Sequence, residues 1–222
     1  MGERPILDEC RTRWTLCLGL ILTLLSLPAC ALPQSRGSVA AKPSSPAPAS
    51  TSLKKTDLAY ADRAAWRAQL KWPQDCEQSF DYPDKSFAGL AFFELSPDRY
   101  LVQVTCTLGS YQGTSIFLLL DESRSPLESK LLRFVDYEDS GEPGPNRLQK
   151  HTVTELTGTP EFDVEKKQLR LINKFRGLGD CGFMSTYSFT KEQPELVLFQ
   201  AKLECDGKGP FNPREWKKTN PR

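Results

Sequence analysis

The 222-residue sequence predicts a mainly β domain, an antiparallel sandwich or partly closed barrel with one N-terminal helix and two disulfides. Three observations predict it. Beyond residue 99, apolar residues recur with a period of two in short runs. Turns bearing Gly, Pro and Asp separate those runs at close spacing. Cys76, Cys106, Cys181 and Cys205 fall in the same stretch, an even number suited to bridges in an oxidising compartment.

Residues 1–29 read as a signal peptide. Arg11 and Arg13 precede Trp14 to Leu27, an uncharged apolar run. A positive flank, an apolar core and small residues at its end form an export signal. The run is shorter than the roughly 20 residues that span a bilayer as a helix. Leu27-Pro28-Ala29-Cys30 resembles the lipobox of bacterial lipoproteins. That resemblance implies lipidation of Cys30, which then becomes the mature N-terminus. A plain signal cut near Ala29 or Ala31 and an uncleaved anchor are the alternatives. All three place the rest of the chain outside the cytoplasm, in the cell envelope, facing the periplasm or the exterior.

Residues 30–56 read as a disordered Pro/Ser/Ala linker. Pro33, Pro43, Pro46 and Pro48 remove backbone donors. Ala, Ser and Thr offer too little apolar area to offset ordering entropy. At ~3 Å per residue, such a stalk reaches at most roughly 80 Å from a membrane.

Residues 57–222 form the expected domain. Asp57 to Lys71 predicts its helix, with Leu58, Ala61, Ala65 and Leu70 on one face and Trp66 beside it. Trp72-Pro73 ends it, because the residue before proline avoids helix. The strand runs follow at Arg99–Cys106, Thr114–Asp121, Lys130–Tyr137, His151–Leu156, Gln168–Arg176, Phe183–Thr190 and Leu196–Cys205. In the first, Tyr100, Val102, Val104 and Cys106 share a face. In the last, Val197, Phe199, Ala201, Leu203 and Cys205 do, which predicts buried bridges at both cysteines. Gly141 to Pro145 reads as an exposed loop joining two halves. Four cysteines allow three pairings; nearness in sequence favours Cys76–Cys106 and Cys181–Cys205. Loops of that length stabilise by ~3–4 kcal/mol each.

Chemistry is scarce in the sequence. A net charge of +1 gives no field to draw in nucleic acid. Gly177-x-Gly179-x-x-Gly182 fits the dinucleotide fingerprint formally, but a strand pattern follows it, so no helix N-terminus can hold a pyrophosphate. Its glycines suit a tight hairpin, with Asp180 bonding the local backbone. His151 is the single histidine and reads as a surface residue at a strand start. There is no Gly-x-Ser-x-Gly elbow and no Cys-x-x-Cys, so neither a serine nucleophile nor zinc is indicated. Asp136, Glu138, Asp139 and Glu142 read as a solvated acidic loop without EF-hand spacing. Arg170, Lys174 and Arg176 share one strand face and offer a patch for anionic lipid or glycan. Trp66, Trp72 and Trp216 suit either a core or a ligand groove. Leu108 to Gly113 and Leu178 to Gly182 are similar turns, which hints at a two-fold repeat.

At Phe175-Arg176-Gly177-Leu178-Gly179-Asp180-Cys181-Gly182 the chain resembles the bacterial family called domain of unknown function 1176. The aromatic strand Tyr187 to Phe189, Cys205 to Gly207, Trp216, Cys106 and Gly109 to Tyr111 extend the resemblance over residues 76–216. It implies an exported, cysteine-bridged protein and no activity. The expectation is a non-enzymatic, envelope-anchored binding module, held to the membrane by its lipid and binding an envelope protein or glycan. A carboxylate-based envelope hydrolase and a structural envelope protein without a discrete ligand are the alternatives. No catalytic, cofactor or metal residue is nominated.

Overall fold

The computed structural model describes residues 58–84, 86–143 and 147–219. The signal peptide, the Cys30 lipidation site and the linker lie outside the described residues. Helix α1 spans Arg63–Leu70 and starts later than the sequence pattern suggests. A turn at residues 59–62, closed by Asp62 N–H on Ala59 O at 2.9 Å, takes the place of its first turn. The Asp62 carboxylate then accepts from the Ala65 amide, so the cap fixes the start. Trp66 and Leu70, four residues apart, are the buried face; Ala61 is exposed. Lys71 ends the helix in the left-handed region, and Pro73 opens a second short helix, α2 (Gln74–Ser79).

The strands follow: β1 (Leu90–Ser96), β2 (Arg99–Leu108), β3 (Gly113–Asp121), β4 (Glu128–Leu131), β5 (Phe134–Asp139), β6 (Leu148–Val153), β7 (Glu155–Asp163), β8 (Gln168–Lys174), β9 (Gly182–Ser188), β10 (Glu195–Lys202) and β11 (Lys217–Lys218). All pairs are antiparallel. Two expected runs are each two strands. Lys130–Tyr137 breaks because Leu132 leaves β4 for the core, its amide donating to Phe117 O. His151–Leu156 breaks at Thr154, where the chain passes from β6 to β7. β1 escapes the alternation test because both faces are covered: Phe92 and Phe93, adjacent in sequence, join different cores.

The main sheet runs β1-β2-β3-β7-β8-β9-β10-β11, with β4 beside β7 on the outer edge of β3. β7 links the two parts. Its residues 155–158 pair with β3, and Thr159–Asp163 pair with β8. Gly158 at that junction has φ 143°, and a Cβ there would stand 2.6 Å from Ile172 O. Only glycine lets the strand bend this close to its neighbour.

The sheet is an open, curled layer and no barrel closes: β1 and β11 are its unpaired ends. It curls enough for Phe93 of β1 to stack on Phe162 of β7 at 4.8 Å. One face of β1–β3 packs beneath the helices through Trp66, Leu70, Trp72, Phe92, Val102 and Ile116. The other face, Leu101 and Phe117, joins Leu169 and Leu171 of β8 and Tyr187 of β9 around Phe134 of β5. Phe134 lies 5.6 Å from Phe117 and 5.0 Å from Tyr187, so the β5–β6 ribbon forms the second layer. Each such ring contributes roughly 1.5–3 kcal/mol by burial.

Two disulfides join Cys76 to Cys106 and Cys181 to Cys205. Cys106 sits at a bulge of β2, between Thr105 and Thr107, and is fully buried. Cys205 differs from expectation. β10 ends at Lys202, and Cys205 lies in an exposed loop. The alternation of Leu196 to Cys205 is itself broken by a bulge between Leu196 and Leu198, which leaves Val197 49% exposed.

Candidate functional site

The β5–β6 ribbon is a hairpin, so residues 141–143 lie at its tip and do not join two halves of the domain; the rest of that expected loop lies outside the described residues. Register then decides which side chains meet. Asp136 stands directly opposite His151, and Tyr137 opposite Lys150. The ribbon is fastened to the sheet at several points. Tyr187 Oη donates to Val135 O at 2.9 Å, and Tyr137 packs on Phe199 at 4.7 Å. Arg147 grips Asp139 through two bonds of 2.9 Å and also reaches Glu204 at 2.6 Å. These fixings leave a groove on each side.

The polar groove, about 570 Å3, is lined by Asp136, His151, Glu155, Thr157 and Asn173, with Phe175 and Phe183 as apolar walls. Burial pushes the Asp136 carboxyl above the ordinary aspartate range; the Tyr137 amide and His151 oppose that shift. Burial also raises the Tyr187 phenol, and the nearby Asp136 charge adds to it. The site therefore presents a desolvated carboxylate and an imidazole on adjacent strands. It can accept hydrogen bonds from hydroxyls or amines while a ring face rests on the phenylalanines.

The second groove, about 670 Å3, lies between the ribbon and β10. Val135, Tyr137, Leu196 and Phe199 give it an apolar floor, and Lys150, Lys191 and Lys218 stand around it.

The other sequence candidates separate. Of the acidic cluster, Asp136, Glu138 and Asp139 line the polar groove, and Arg147 holds Asp139 below the usual carboxylate range. Among the described residues no group of three or more His, Cys, Asp or Glu could hold a metal ion. The basic strand face is largely neutralised: Arg170 pairs with Glu161, and Arg176 with Asp180. Trp66, Trp72 and Trp216 are all buried, and Trp216 donates to Pro210 O. None of them lines either groove.

The Gly177–Gly182 turn is a structural clasp. Asp180 is fully buried and accepts from Arg176 at 2.7 and 2.5 Å. It reaches beyond its local backbone to the Gly207 amide at 2.8 Å, while Arg176 donates to Cys205 O. The similar turn at Leu108–Gly113 lies against it. Gln112 bonds the Asn173 side chain at 3.0 Å and the Lys174 amide at 2.8 Å.

Sequence reasoning missed the pairing of His151 with Asp136. The signal was present: two alternating runs flank a Gly/Pro turn, and reading that turn as a hairpin tip would have aligned them.

A model of the family described as "Protein of unknown function (DUF1176)" matches residues 31–219. The uncharacterised protein YpfG of Escherichia coli (strain K12) is 27% identical over 112 residues, 50% of this chain. The chain covers 30% of that relative's length. No solved structure matches.

Proposed function

Because the chain belongs to the DUF1176 family, whose description assigns no activity, we propose its function from the polar groove: an exported binding module of the cell envelope that holds a glycan. The disulfides point to an extracytoplasmic protein. Lipidation at Cys30 would tether it, with the Pro-rich stalk as spacer. One observation carries the ligand reading. Asp136 is half-buried in the groove lining, partly desolvated and opposite His151 in the strand register, with no arginine or lysine paired to it among the described residues. Such a carboxylate costs stability, and folds retain that kind of group where function uses it. Asp136, Glu155 and Asn173 offer acceptors for sugar hydroxyls or an amino sugar, and Phe175 and Phe183 suit the apolar ring face.

Titrating soluble peptidoglycan fragments and chito-oligosaccharides into the protein tests this reading. Asp136→Asn and His151→Gln should each weaken binding at least about ten-fold, or about 1.4 kcal/mol, without lowering the melting temperature. A panel that does not bind, or binds the variants equally, overturns it.

A second reading, a carboxylate hydrolase, has one observation in its favour: burial moves the Asp136 carboxyl above the ordinary aspartate range, the direction a general acid requires. Release of new reducing ends from the same glycans, lost in Asp136→Asn, would decide for it.

A further inference from the structure

Strand β10 is finished on one side and open on the other. Along its inner side it pairs with β9 from Glu195 to Lys202. On its outer side β11 pairs only with Gln200 and Ala201, and the Thr219 amide closes on Phe199 O at 2.9 Å. From Glu195 to Leu198, no strand among the described residues covers the outer edge. An uncovered edge presents unpaired backbone donors and acceptors, a template for another strand.

The edge opens into the second groove, across from Val135 and Tyr137 on the ribbon. Val197 is 49% exposed there. Three lysines stand around the groove against one carboxylate, Glu195, which Lys191 neutralises at 2.8 Å. Lys150 and Lys218 form no ion pair among the described residues.

Lysine also serves to guard sheet edges from aggregation. Here Lys150 on β6 and Lys218 on β11 flank the uncovered stretch of β10, whose own residues 196–198 are Leu, Val and Leu. The arrangement is a slot with hydrogen-bonding edge, apolar floor and positive rim.

We propose that an extended, acidic peptide segment of a partner protein adds as a strand to the open edge of β10. Its main chain bonds the edge and continues the line of β11. Alternate apolar side chains rest on Val135, Tyr137 and Phe199, and its carboxylates meet Lys150 and Lys218. This site is separate from the polar groove and stands or falls without the glycan reading.

The test uses the full chain and two fluorescein-labelled octapeptides, one of alternating valine and glutamate, the other of alternating valine and lysine. Fluorescence polarisation should show the acidic peptide binding at least about ten-fold more tightly. Lys150→Glu with Lys218→Glu should reverse that preference; both lysines are exposed, so the melting temperature should hold. The amides of residues 195–199 should gain hydrogen-exchange protection with the acidic peptide. Equal binding, no binding, or an unreversed preference in the double variant overturns the proposal. So does a concentration-dependent dimer in sedimentation that excludes the peptide, which would assign the edge to a second copy.

Discussion

The two parts of the domain use the same device in different surroundings. In the first, Arg63 bonds Glu77 at 2.9 Å and donates to Ala88 O and Thr105 O, beside the Cys76–Cys106 bridge. Its guanidinium lies over Phe80 at 3.8 Å, and both cysteines are buried. In the second, Arg176 bonds Asp180 and Cys205 O beside the Cys181–Cys205 bridge, but at a surface turn with Cys205 exposed. Each is a disulfide braced by an arginine and a carboxylate. The difference is the cover: the helices roof the first, and water reaches the second. A buried brace is expensive to break because it strands its polar partners away from solvent. In the second brace water reaches the Arg176 guanidinium but not Asp180, which is fully buried, so the contrast lies in the arginine and the cysteine and not in the carboxylate.

The largest expected effect tests that contrast directly. Replacing Cys76 and Cys106 by alanine should cost about 4 kcal/mol, from loop entropy and the cavity left in the core. Replacing Cys181 and Cys205 should cost about 3 kcal/mol, mostly loop entropy. Denaturant titration measures both, and equal losses would erase the distinction. Arg63→Ala comes next at about 3 kcal/mol, because Glu77 and two carbonyls lose their donor; Arg176→Ala should cost a similar amount in the same assay, because Asp180 stays buried without its charged partner. Gly158→Ala strains the junction between the parts and should cost about 2 kcal/mol. A loss of cooperativity in that variant's melt would show the two parts unfolding separately.

The smallest effects are in pH dependence, and they have opposite signs. Arg176 holds Asp180 below the usual aspartate range. Its contribution is therefore present above about pH 4, the unfolded value, and lost as pH falls through the folded one. Asp136 is raised by burial, so its contribution is present in acid and lost as pH rises through its folded value. Melting temperatures should fall less below pH 4 in Asp180→Asn than in the parent. Asp136→Asn should raise the melting temperature near pH 7. A parallel acid response in parent and Asp180→Asn would remove the clasp from the account.

Much of the β architecture was legible in the sequence. Arg99–Cys106 and Gln168–Arg176 alternate, Thr114–Asp121 is a continuous apolar run, and strands fall at all three. β1 was not legible, since its adjacent Phe92 and Phe93 enter different cores and its short run carries no alternation. Cys205 misled, because alternation cannot register a bulge or the end of a strand. The polar groove was illegible as a site although all its residues were visible. Asp136 and His151 belong to one groove only once the hairpin register sets them opposite.

By itself the sequence determined most of the strand content, the turns and the four cysteines of residues 57–222, because these follow from composition, local periodicity and backbone preference. Tertiary structure alone decided that the ribbon folds back over a curled sheet, that Asp136 is desolvated beside His151, and that the edge of β10 stays open. Those outcomes depend on which distant surfaces pack together, and burial, register and edge pairing are properties of that packing.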